Sequence, residues 1–171
     1  MTNAQWHLGQ LNVGRLVAPL ESTALAGFVA KLAPINALAD TSPGFVWRLQ
    51  TDEGDATSIR PTDDDLFLIN MSVWSSLEAL RAFVYTSAHV QVLRGRRAWF
   101  EQLAASHLVL WWVPVGHVPT IEEALDRLER LRRDGPRPAA FTFRTPFQPG
   151  EDHPLDPVVD AEFCWPELAA S

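Results

Sequence analysis

Leu66-Phe67-Leu68-Ile69-Asn70-Met71-Ser72-Val73-Trp74-Ser75-Ser76-Leu77-Glu78 changes period halfway along. Leu66 to Val73 is short and apolar on both faces in its first half, as in a strand covered on both sides. Ser75 and Glu78 then have the S-x-x-E spacing of a capping box, which predicts a helix start. Leu77, Leu80, Val84 and Ala88 carry the apolar stripe of that helix onward. A strand that turns straight into a helix is the hinge of the fold, and the rest of the chain can be read outward from it.

Toward the C-terminus the helical pattern continues through Tyr85 to Phe100, with a break near Thr86-Ser87. At about 100° per residue, Tyr85, His89, Leu93, Arg96 and Phe100 share one stripe. Val92 and Trp99 lie beside it, Arg97 sits at its edge and Arg94 points to solvent. Leu108 to Val113 is the most apolar strand, and its period of two sends Trp111 and Trp112 to opposite faces. Gly116-His117-Val118-Pro119 is a turn. Thr120 and Glu123 form a second capping box for a helix through Ile121, Ala124, Leu125, Leu128 and Leu131, ending at Gly135-Pro136. Ala139 to Phe143 reads as a fifth strand.

Toward the N-terminus, Thr51 to Asp65 is polar and acidic and reads as a solvated hairpin loop. Phe45 to Gln50 is a short strand after the turn Ser42-Pro43-Gly44. Leu25, Phe28, Val29 and Leu32 have helical spacing, with Ser22 or Thr23 as N-cap; Pro34 predicts a kink or two short helices. Trp6 to Val13 is the first strand. Its alternation is imperfect, which suits burial on both faces.

The order is strand, helix, strand, strand, helix, strand, the βαββαβ order of a ferredoxin-like α+β fold with an antiparallel sheet and helices on one face. The apolar strands leave the uncovered face in need of a partner. The expected assembly is therefore a homodimer, with a cavity between each sheet and its own helices or at the dimer interface. Residues 1–147 form the expected domain. Residues 148–171 form a proline-rich tail packed on it, pinned by Phe147, Phe163 and Trp165.

Composition sets the outer bounds. A chain of 171 residues with 47% hydrophobic residues is one globular domain. Seven tryptophans must be buried or line a cavity or an interface. The net charge of −7 disfavours a nucleic-acid surface. No stretch approaches a membrane span, and no signal peptide is visible, so the expected setting is cytoplasmic. Cys164 is the single cysteine, which excludes an intrachain disulfide. Lys31, the single lysine, is the one Schiff-base candidate, on what reads as an ordinary amphipathic helix. No His and carboxylate set has metal spacing, and no Ser-His-Asp arrangement or phosphate-binding glycine loop stands out, so no metal site is predicted.

Trp6-His7-Leu8 with Gln10-Leu11-Asn12, Gly44-Phe45-Val46-Trp47-Arg48-Leu49, Ser87-Ala88-His89 through Arg97-Ala98-Trp99-Phe100, Trp111-Trp112-Val113-Pro114 with Gly116-His117, and Pro119-Thr120 resemble a bacterial family known only as a domain of unknown function. That family is placed with the dimeric alpha–beta barrels, the superfamily of the antibiotic-biosynthesis monooxygenases. The resemblance runs to Phe147. It implies a dimeric alpha–beta barrel and a superfamily that holds cofactor-free monooxygenases, haem-binding enzymes, lactone isomerases and plain ligand binders.

His89 is the candidate general base, or an axial haem ligand; the plainer reading is a packed helix histidine. Arg96 and Arg97 are candidate holders of a carboxylate, phenolate or propionate, against ordinary surface ion pairs. His117, just before a helix N-terminus, is a second candidate base or a turn residue. Trp74, Tyr85, Trp99, Phe100, Trp111 and Trp112 are the candidate pocket walls, against plain core. His107 and His153 read as exposed. The leading expectation is a cofactor-independent monooxygenase or isomerase acting on an aromatic or polyketide-like molecule. A non-catalytic dimeric ligand-binding or interaction module and a haem-binding protein are the alternatives.

Overall fold

The computed structural model of the chain describes residues 5–86 and 89–151. The tail beyond residue 151, with His153, Phe163, Cys164 and Trp165, lies outside them. The elements run β1 (Trp6–Arg15), a 3-10 turn (Thr23–Leu25), α1 (Ala26–Thr41), β2 (Phe45–Arg48), β3 (Phe67–Trp74), α2 (Leu77–Thr86), α3 (His89–Trp99), β4 (Leu108–Pro114) and α4 (Ile121–Asp134). The four strands form one antiparallel sheet in the order β2-β3-β1-β4. This is the ferredoxin-like α+β arrangement that the element order predicts.

Register decides which residues share a face. Gln10 pairs with Ser72 and Leu110, and Asn12 with Asn70 and Leu108. Side chains alternate along a strand, so Leu8, Gln10, Asn12, Leu68, Asn70, Ser72, Trp74, Leu108, Leu110 and Trp112 point one way. Leu11, Val13, Ile69, Met71, Val73, Val109, Trp111 and Val113 point the other. Helices α1, α2 and α3 cover the first face, through Phe28, Ala39, Leu77 and Leu80.

The second face is not left open. Helix α4 lies on it, and Ala124, Leu125, Leu128 and Leu131 pack against Leu11, Val13, Met71, Val109 and Trp111. This removes the reason for expecting a partner there. The amphipathic pattern of α4 supplies the missing apolar layer from within the same chain. Gly9 makes room on this face for the Trp111 ring: a Cβ on Gly9 would sit 2.8 Å from that ring.

Four local expectations shift. Neither Ser22 nor Thr23 caps α1, whose N-cap position is Leu25 and has no side-chain cap bond. Helix α1 runs unbroken through Pro34. The carbonyl that proline leaves unbonded belongs to exposed Ala30, where water can serve it. At the start of α2 the capping hydroxyl is that of Ser76, which accepts from Ala79 N at 3.1 Å, one residue later than predicted. The fifth strand reduces to a bridge, in which Phe141 and Leu110 exchange two backbone bonds of 2.8 Å. Among the described residues no helix is long and apolar enough to cross a membrane.

Candidate functional site

A cavity of about 300 Å³ lies between the first sheet face and α1, α2 and α3. Its floor is the polar centre of that face: Gln10, Asn12, Asn70 and Ser72. Phe28, Leu32, Phe83, Val92 and Phe100 supply apolar wall. Asn70 is exposed although it sits within a central strand of the sheet. It lines the cavity, beyond the stretch of β3 that β2 pairs with. The side chains of Asn12 and Asn70 have no hydrogen-bond partner among the described residues, so two carboxamides face whatever enters.

The expected stripe on α3 does reach this cavity. His89, at the first position of α3, lines it beside Phe83, with ring centroids 5.0 Å apart. Burial lowers the imidazole's pKa below its ordinary value; a bond to the backbone of Val84 works the other way and is outweighed. His89 is therefore neutral near neutral pH, as a base must be. Arg96 lines the cavity two helical turns further on, about 10 Å along the axis at 1.5 Å per residue. Its guanidinium lies 4.9 Å from the centre of the Phe100 ring, and Nη2 donates to the Val13 carbonyl at 3.3 Å. No carboxylate of the described residues pairs with it, and burial lowers its pKa from the usual arginine value.

The other charged groups sharpen this picture. Arg48 also lines the cavity, but Asp40 takes its guanidinium at 2.7 and 3.2 Å. The Asp55 carboxylate is held by the N–H and hydroxyl of Thr57. Lys31 lines the cavity without an ion pair among the described residues. Two uncompensated cations, Lys31 and Arg96, thus face a cavity in a chain of net charge −7. His107 joins them; it is half-buried and lines the cavity rather than standing exposed. Burial, then the charges of Arg96 and Arg132, lower its pKa.

Tyr85, Trp74 and Phe100 also line the cavity. The remaining candidates stand elsewhere. Arg97 is exposed on the solvent side of α3. Trp99 packs on Phe28 at 5.7 Å, outside the cavity. Trp112 shares the cavity face but is taken up by Phe141 at 6.3 Å and by the Phe147 carbonyl, to which Nε1 donates at 2.8 Å. Trp111 lies on the opposite face under α4. His117 is exposed in the turn before α4; its Nε2 is 2.7 Å from Glu123 Oε2, while Glu123 Oε1 accepts from Trp111 Nε1 at 3.1 Å. His117 therefore anchors the turn into α4 and does not line the cavity that His89 lines.

Sequence reasoning missed Gln10, Asn12, Asn70 and Ser72. A signal existed: two i, i+2 polar pairs interrupt otherwise apolar strands. Reading the strands as buried on both faces hid it, because which strands are neighbours was not yet known.

Among solved structures the chain is similar to SnoaB, a cofactor-independent oxygenase from Streptomyces nogalater, at 18% identity and TM-score 0.42, over 68% of this chain and 98% of that one. It is similar to a protein of unknown function from Nitrosomonas europaea at 12% identity and TM-score 0.41, over 69% and 97%. It is also similar to a proposed antibiotic biosynthesis monooxygenase from Chloroflexus aurantiacus at 17% identity and TM-score 0.40, over 67% and 98%. No curated protein matches. The family model described as Domain of unknown function (DUF3291) matches residues 7–156, and the chain belongs to that family.

Proposed function

We propose that this cavity takes an aromatic or polyketide-like molecule bearing an acidic oxygen, and that the chain acts on it without a cofactor, as a monooxygenase or an isomerase. His89 accepts a proton from the bound molecule, and Arg96 holds the anion that results. One observation carries the reading: a neutral His89 and an Arg96 without a carboxylate partner lie on one helix stripe, about 10 Å apart, along one cavity wall. A half-buried guanidinium held in place stabilises a developing oxyanion more than one free in bulk water.

The test is oxygen uptake and product analysis with a panel of polycyclic phenols and aromatic 1,3-diketones. His89→Ala is expected to lower kcat/KM by about a hundredfold. Arg96→Ala should act similarly, and Arg97→Ala should leave the rate unchanged. Binding without turnover across the panel selects the non-catalytic ligand-binding reading instead. Neither binding nor turnover defeats both.

Haem fits the residues less well. A cavity of about 300 Å³ is at the small end of ligand pockets, and the Phe83 ring already packs beside His89. An absorption spectrum after expression with haem precursor checks this; the expected result is no Soret band. The reading takes the protein as cytoplasmic and homodimeric. With α4 over the second sheet face, the dimer uses another surface, which light scattering on the purified chain and on surface variants can test.

A further inference from the structure

Gln10, 6% exposed, and Ser72, 8% exposed, are the two buried polar side chains among the described residues. They face each other across β1 and β3, and Ser72 Oγ lies 2.8 Å from Gln10 Oε1. Trp74, 1% exposed and two residues along the same face, reaches Ser72 Oγ with Nε1 at 2.9 Å. An indole N–H can only donate, so Ser72 Oγ accepts from Trp74. The serine O–H must then find an acceptor. Among the described residues Ser72 has one other partner, Gln10. The carboxamide therefore turns its oxygen to Ser72, because the flipped amide would leave a buried hydroxyl proton unpaired.

The consequence falls on the other end of the amide. With Oε1 committed, the Gln10 NH2 has no partner among the described residues, and Gln10 is part of the cavity floor. We propose that the Trp74–Ser72–Gln10 relay fixes Gln10 as a one-way hydrogen-bond donor into the cavity, so that the ligand presents a carbonyl or oxyanion oxygen to the sheet. Ser72 and Trp74 are positioning residues, and Gln10 is the contact. This deepens, and rests on, the pocket reading above. The molecule has an acidic group toward Arg96 and a second, acceptor-type oxygen over Gln10.

The test compares two probes of one shape in the full chain: 2-acetylnaphthalene, which has an acceptor oxygen, and 2-isopropylnaphthalene, which has none. The wild type should prefer the ketone. Ser72→Ala and Trp74→Phe should each cut that preference about fivefold, the worth of one ordinary hydrogen bond. Ser72→Thr, which keeps the hydroxyl, should retain it, and Gln10→Leu should abolish it. A merely structural loss would weaken both probes equally. A preference unchanged in Ser72→Ala and Gln10→Leu overturns the proposal. If neither probe binds, the pocket reading fails and the recognition role falls with it. The orientation is then decided without ligand, by nuclear Overhauser contacts of the Gln10 amide protons. Contacts directed away from Ser72 support the relay; strong contacts to the Ser72 Hβ and Trp74 indole protons overturn it.

Discussion

The two faces of this sheet are made by alternate residues of the same strands and have opposite fates. On the α4 face, Leu11, Val13, Met71, Val73, Val109, Trp111 and Val113 are all 1% exposed or less. On the other face the centre is Gln10, Asn12, Asn70 and Ser72, and Asn70 is exposed. An apolar face can be sealed by any helix with a complementary stripe. A polar one cannot be sealed without leaving amides unpaired, at a cost of about 1–3 kcal/mol each. One face is therefore sealed throughout, while the other keeps a polar centre that opens on a cavity.

This contrast can be broken at several points. The largest effect is expected for Trp111→Ala, which empties the centre of the sealed face and removes the bond to Glu123. It should cost about 3–5 kcal/mol in urea unfolding. A loss under 1 kcal/mol would mean that α4 does not seal this face. Gly9→Ala places a methyl group 2.8 Å from the Trp111 ring and should cost about 1–3 kcal/mol. Its unfolding midpoint should move without any change in ligand affinity.

The open face has its own signature in pH. The folded chain holds His89 and His107 below their ordinary value of 6.5. Above that value neither histidine is charged in either state, and stability is full on their account. As pH falls below it, the unfolded chain binds protons that the folded chain resists, so stability declines. His89→Gln and His107→Gln should each remove part of this slope in denaturation measured from pH 7.5 to 5. The smallest effect is expected for Asn70→Ala, within about 0.5 kcal/mol of wild type, since its amide has no hydrogen-bond partner among the described residues. A large loss there would show that the floor is structural rather than free for a ligand.

Much of this was legible in the chain. The Thr120 cap, the α3 stripe with His89 and Arg96, and the βαββαβ order are local signals, set by spacings within a few residues. The polar floor was half legible. Gln10 with Asn12 and Asn70 with Ser72 interrupt their strands visibly, but they become one patch only when β1 pairs with β3 in a register that no local pattern states.

The sequence by itself determined the order of the main helices and strands and which stripe of α3 meets the cavity, because periodicity and capping act over a turn or two. Tertiary structure alone decided the rest. It put α4 over the face whose apolar pattern had predicted a second copy. It separated Trp111 and His117 from the cavity and brought His107 into it. Those outcomes depend on which distant surfaces meet, and burial is settled only when the whole sheet has been covered.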